Sequence, residues 1–193
     1  MSEEQDIKLR IQKINEMLLN KNIKAYEIEN LYREYIKLSV CLGTNRPKFE
    51  ENKKQYEHVN CYAYALGLSL PDSFYNRYNE VDDDGIRYNI GFISKQLFAF
   101  NKEQQLYNLY KDLEALNIQF YETNQSALNE HGGYKIAVYN NCLDFHMKRQ
   151  NCDGSWSEKM GYTFNFKQSD SIKEYHNSYT LVKVLEIVKP TIK

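Results

Sequence analysis

The chain contains no run of 18 apolar residues, so no segment has the length of a membrane-spanning helix. It has no basic cluster either. Its 25 Lys and Arg are spread along the sequence against 26 Asp and Glu, a formal net charge of −1, which argues against nucleic acid as a principal partner. No secretory leader is expected either: Met1-Ser2-Glu3-Glu4-Gln5-Asp6 is acidic and polar, the opposite of a signal peptide. The expectation is synthesis in the cytoplasm as a soluble protein, with any delivery outside depending on a leaderless or lysis route. There is no Cys-x-x-Cys pair. Cys41, Cys61, Cys142 and Cys152 are expected to be reduced, with a Cys142–Cys152 disulfide across a hairpin as the alternative left open. A metal site built from His131, Cys142, His146 and Cys152 fits no common zinc spacing. Neither a metal nor another cofactor is expected.

What is present is enough for one core. A length of 193 residues with 42% hydrophobic content implies a single globular unit and argues against wholesale disorder. The 17 tyrosines, with frequent Asn and Lys, are read as coding bias rather than as a binding face.

The first forty residues are helical in pattern. Ile7, Ile11, Ile14 and Leu18 recur at three- and four-residue steps, and Ile28, Leu31, Tyr35 and Leu38 repeat the pattern after Asn20-Lys21-Asn22. Gly43 and Pro47 close this helical hairpin, assigned to residues 1–43. It is expected to pack on the unit of residues 44–193, with its apolar stripe serving a protein partner or a dimer as the other reading. A helix is expected to follow Cys61, and another to run from Lys102 to Leu116 with Leu106, Leu109, Leu113 and Leu116 on one face and Lys111 and Asp112 on the polar side. Asp82-Asp83-Asp84-Gly85 resembles part of a calcium loop, but Ile93 stands where a bidentate Glu is needed, so a solvated turn is expected. From Gly132-Gly133 onward the pattern is that of strands: Tyr134–Tyr139, Leu143–Gln150, Trp156 onward and Tyr179–Val188, with Asn140-Asn141 and Asp153-Gly154 as turns. Helices first and antiparallel strands second imply an α+β fold, with the Cys61 helix packed on a sheet.

The run Asn60-Cys61-Tyr62-Ala63-Tyr64 carries the chemistry. Asn60 is a good N-cap, and a thiol in the first turn of a helix meets partial positive charge that favours thiolate. A base is supplied from a strand. In Asp144-Phe145-His146-Met147-Lys148-Arg149-Gln150, His146 shares a face with Lys148 and Gln150, while Phe145, Met147 and Arg149 share the other. Turning at Asp153-Gly154 brings residues near 158 and 159 back opposite His146, where Glu158 can fix the imidazole tautomer. Productive chemistry requires the Cys61 sulfur and a His146 nitrogen within about 4 Å in an open groove.

Cysteine at a helix start, histidine on a strand and a polar residue twelve positions on resemble the papain-like NlpC/P60 superfamily over about residues 56–166. The run from Phe145-His146 through Arg149-Gln150, Asp153-Gly154, Trp156-Ser157 and Lys159 is similar to a bacterial and phage-associated group of these proteins. They pair an Asn-Cys-Tyr-Ala-Tyr-Ala element with an aromatic-His-x-x-Arg-Gln-x-x-Asp-Gly-x-Trp-Ser-His-Lys element. The resemblance implies a papain-like NlpC/P60-type core with Cys61 as nucleophile, His146 as base and Glu158 as third residue. The chain departs from the pattern with Glu158 in place of His and Met160 in place of Pro. By looser analogy Tyr56, or alternatively His58, is a candidate oxyanion donor beside the backbone N–H of Cys61, and Asn60 and Trp156 are candidate substrate contacts. Trp156 can equally serve the core.

These readings imply a cysteine hydrolase acting on an amide bond of a peptide, an isopeptide or a cell-wall stem peptide. A deamidase or transglutaminase-type toxin would use the same Cys–His pair. The competing expectation is an inactive module of the same fold that binds a partner through its N-terminal helices.

Overall fold

A computed structural model describes residues 2–20, 22–49, 56, 59–71, 89–161, 165–172 and 178–192. Helix α1 (Glu3–Leu18) opens on Ser2, which forms a reciprocal capping box with Gln5 and satisfies amides that have no intrahelical partner. Helix α2 (Ala25–Cys41) runs back along it, and Arg10 of α1 grips Glu34 of α2 with two hydrogen bonds of 2.6 and 2.9 Å. The pair is exposed and adds little stability. What holds the hairpin is burial: Ile14 and Leu18 from α1, with Ile28, Leu31, Tyr32, Ile36 and Val40 from α2, join the same core cluster as the rest of the molecule. The buried stripe of α2 thus runs through Tyr32, Ile36 and Val40, with the expected Tyr35 and Leu38 at its flank.

Helix α3 (Cys61–Leu66) is short, and all six of its residues are buried. Both ends are specified locally. The Asn60 side chain accepts from the Ala63 amide at 3.0 Å, and Gly67 takes the left-handed conformation (φ +60°) that lets the Leu68 amide return to the Ala63 carbonyl at 2.8 Å. An all-apolar helix has no solvent face, so α3 lies inside the fold with the sheet beneath it.

Helix α4 (Lys102–Ala115) is capped by Asn101 and buries Gln105, Asn108, Leu109, Asp112 and Leu113. Asp112 is therefore a core residue and not part of a polar face, as helical periodicity alone suggests.

Six strands form one antiparallel sheet: β1 (Gln119–Thr123), β2 (Tyr134–Asn140), β3 (Phe145–Gln150), β4 (Trp156–Lys159), β5 (Phe166–Ser169) and β6 (Thr180–Val188), in the order β1-β6-β2-β3-β4-β5. The class is α+β. Every residue of β2 is buried, as expected of a strand paired on both sides, whereas β1 and β5 at the edges are mostly exposed or half-buried. The β3–β4 connection closes through an Asn151 amide to Ser155 carbonyl bond of 2.7 Å, with Gly154 at φ +88° where a side chain would be strained. Asn141 accepts from the amides of Leu143 and Asp144 and shapes the β2–β3 turn.

The two faces of the sheet differ. On one, Tyr134, Ile136, Val138, Phe145, Met147, Leu185 and Ile187 pack with α3 and the helices above it. On the other, Ala137, Tyr139, Trp156, Ile172 and Val184 form a second cluster. Among the described residues no helix is long and apolar enough to cross a membrane.

Candidate active site

The site is set by three neighbouring elements: the start of α3, the start of β3 and the end of β4. The pleat of β3 points Phe145, Met147 and Arg149 toward α3 and sends His146 and Lys148 to the other face. Arg149 fixes the α3 side by donating to the Tyr64 carbonyl at 3.2 Å with its guanidinium 4.0 Å from the Tyr64 ring centre. On β4, Ser157 receives the Tyr64 hydroxyl at 2.9 Å, so α3 is seated over both strands.

Cys61 is 5% exposed and belongs to the main core cluster. Its sulfur receives the backbone N–H of Met147, the residue that follows His146. Burial pushes the thiol up to about 12; that backbone donor pulls it down and the Asp144 carboxylate pushes it higher. The expected thiolate is thus corrected. Six residues of helix contribute only a small N-terminal field, and desolvation of the anion outweighs it.

His146 is 3% exposed, and its Nε2 lies 2.6 Å from Oε2 of Glu158. Burial lowers its pKa and the Glu158 hydrogen bond raises it, leaving the imidazole below its ordinary value. The strand register differs from the expected one. Glu158 is directly opposite Lys148, not His146, because the five-residue connection Asn151–Ser155 pairs Gln150 with Trp156. Glu158 reaches His146 on the diagonal and holds Lys148 at 3.5 Å with its other oxygen. Burial raises the carboxyl pKa, but the His146 and Lys148 contacts outweigh it and leave the group below the usual range.

Thiol and imidazole do not share a face: Cys61 lies in the α3-side core with Phe145 and Met147, and His146 projects from the other face of β3. Asp144 acts electrostatically on both. Tyr179, which donates to Asp144 at 2.7 Å, stands 6.4 Å from the His146 ring and senses Cys61 as well.

The remaining candidates lie elsewhere or act otherwise. Tyr56 is buried against Tyr64 and Arg149, and its hydroxyl lies beside Gly67 at the far end of α3 from Cys61, so it is misplaced for an oxyanion donor. Asn60 is spent on the helix cap and faces Asn89 at 3.5 Å. Trp156 is 1% exposed in the second core cluster and cannot wall a groove. His58 and the Asp82–Gly85 stretch lie outside the described residues. All four cysteines are free thiols; Cys142 and Cys152 flank opposite ends of β3, about 20 Å of strand apart, and cannot face each other. His131 stacks on Tyr121, so the histidines and cysteines considered for a metal do not converge.

Two groups at the site were not singled out by spacing. Asp112 accepts from the Tyr62 hydroxyl (2.6 Å), the Gly91 amide (2.6 Å), and the Ser94 amide and hydroxyl (2.7 and 2.6 Å). It thereby ties the residue after Cys61 to α4. Burial raises its pKa, and these donors work against the rise. Lys159 is fully buried on the α3 side of β4 and donates to the Gly161 carbonyl at 2.9 Å. Its position in the Trp-Ser-x-Lys run is visible, but nothing in sequence places a buried lysine in the field of a thiol. A scan of family models, a search of curated proteins and a search of solved structures each found no match to this chain.

Proposed function

We propose that the chain is a cysteine hydrolase of amide bonds built on a papain-like NlpC/P60-type core. In this reading Cys61 is the nucleophile, His146 the general base and Glu158 the group that orients the imidazole. The observation that carries it is the buried 2.6 Å His146–Glu158 contact on the strand whose next backbone N–H meets the Cys61 sulfur.

The resting pair is a neutral thiol and a neutral imidazole, since burial disfavours both charged forms. The thiol proton passes to His146 as the sulfur–carbon bond forms at the substrate carbonyl. The imidazolium then protonates the leaving amine as the carbon–nitrogen bond breaks. Water gives a proton to His146 and attacks the thioester, releasing the acid and restoring the thiol. Glu158 holds Nε2 and so orients the ring, and its carboxylate offsets the charge on the imidazolium. A peptide, an isopeptide or a stem peptide fits this chemistry, and a different acceptor would make the enzyme a deamidase or transglutaminase.

The experiment is peptide-resolved iodoacetamide labelling of the full chain. His146→Ala is expected to slow Cys61 at least about tenfold while leaving exposed Cys142 unchanged. Equal Cys61 rates in both proteins would sink the reading. A second reading, a binding module, draws on the burial of Cys61 and on Met17, Leu19 and Tyr26, which are 45, 73 and 59% exposed on the hairpin and its connection. It requires Cys61 to react no differently when His146 is lost.

A further inference from the structure

We propose that the ammonium of Lys159 is the counter-charge for Cys61 when its sulfur becomes anionic; the inference rests on the hydrolase reading above. The β3–β4 register pairs Lys148 with Glu158, and carried one step further it sets Lys159 across from Met147. Residues opposed in this way have Cβ atoms about 5 Å apart, with side chains on the same face. Met147 supplies the backbone donor to the Cys61 sulfur, so the lysine and the thiol converge on one residue from two elements. The face is the right one, because Ser157, two residues before Lys159, holds Tyr64 of α3.

The contacts of Lys159 leave it electrostatically incomplete. An ammonium has three N–H donors. Among the described residues this one meets the Gly161 carbonyl at 2.9 Å, the Phe166 ring at 5.6 Å and the field of Cys61, and no carboxylate. The other buried lysines are provided for differently. Lys148 has Glu158, Lys135 has two backbone carbonyls, and Lys189 caps the C-terminus of α3 through the Gly67 carbonyl. A buried cation with spare donors is costly unless an anion arrives. The nearby anions available in turn are the thiolate and the oxyanion that follows it. Lys159 keeps its proton throughout, and the thiol proton goes to His146.

Burial lowers Lys159 to about 8, so the counter-charge is present at neutral pH and fades above that value. Of the other titratable groups, Asp144 opposes thiolate formation and Tyr179 shares the field of Cys61, while His146 lies on the other face of β3 with Glu158 and Lys148.

Reagent charge supplies the test. The full chain is alkylated with anionic iodoacetate and with neutral iodoacetamide, and rates are read at the Cys61 and Cys142 peptides by mass spectrometry. At pH 7 the iodoacetate-to-iodoacetamide ratio at Cys61 is expected to exceed that at Cys142 by about fivefold, and to converge on it between pH 8 and 9.5. Lys159→Met should abolish the excess and Lys159→Arg should keep it. The wild-type pH series decides the matter even if Lys159→Met fails to fold. Equal ratios at both cysteines, a ratio that does not change with pH, or no labelling of Cys61 by either reagent overturns the inference. His146→Ala reports separately: loss of its effect removes the hydrolase reading while leaving the charge ratio intact.

Discussion

Replacing Asp112 by Asn changes no volume and removes one acceptor oxygen from the middle of the fold. Oδ2 accepts from the Tyr62 hydroxyl and the Gly91 amide, and Oδ1 from the Ser94 amide and hydroxyl. Whichever way the new amide is turned, its NH2 faces one of these pairs. A hydroxyl can rotate its hydrogen away, but a backbone N–H cannot. One buried amide, at Gly91 or at Ser94, is therefore left pointing at a donor. Hydrogen bonds to a charged acceptor are worth about 1.5–3 kcal/mol each, and two are lost. Part of that returns because an amide costs less to bury than a carboxylate. The net loss comes to about 2–4 kcal/mol, or roughly 4–16 °C in melting temperature for a chain of this size. Urea unfolding at pH 7 measures the first figure and calorimetry the second. Tyr62→Phe alone should cost about 1 kcal/mol, and its effect in the Asp112→Asn background should be smaller than in the wild type. A double-mutant cycle that is strictly additive, or an Asp112→Asn protein as stable as the wild type, would refute the role of Asp112 as the tie between α3, α4 and the Gly91–Ser94 turn.

Two further predictions concern charge in the interior. Glu158→Gln leaves the Lys148 ammonium buried without its carboxylate and removes the group that raises the His146 pKa. The His146 titration followed by NMR should move to lower pH, with a stability loss of about 3 kcal/mol; an unmoved titration would show that the 2.6 Å contact does not govern the imidazole. Lys189, 3% exposed, is lowered by burial to about 7, against about 10.4 in the unfolded chain. Between these values the unfolded state binds the extra proton, so stability should rise with pH from about 7 toward 10 and level off below 7. Lys189→Met should flatten that rise by about 2 kcal/mol between pH 7 and 9, measured by urea unfolding at each pH; an unchanged slope would assign the effect to another group.

Local chemistry made much of the fold legible. The Asn60 cap and the Gly67 stop bound α3 by side-chain and backbone rules that act over three or four residues. The same holds for the Asp153-Gly154 turn and for the dense apolar run of β6. The edge strands β1 and β5 escaped notice because Gln119–Thr123 and Phe166–Ser169 carry few buried apolar residues. Such strands are specified by the partner they pair with rather than by their own composition. The site shows the same division. Pairing His146 with Glu158 needed only a hairpin and its face, and an error of two residues in register still left the two in diagonal reach. The acidity of Cys61 needed a count of what surrounds it, and helix polarity is too weak a guide when the helix is six residues long and wholly buried. Asp112 was misread for a related reason: periodicity marks charged residues as exposed, and only tertiary structure supplies the four donors that let one be buried.

The place of β6 has a consequence for synthesis. This strand, the last of the six in chain order, lies between β1 and β2 and is hydrogen-bonded to both. Until Val188 emerges, β1 has no partner in the sheet and β2 exposes a full edge of unpaired backbone. The β2–β3–β4 meander beneath Cys61 closes through short connections and can form first. The nascent chain thus carries the strands of its candidate site before the sheet is closed, with a sticky edge beside them. Loss of Thr180–Val188 would strand the protein in that open form.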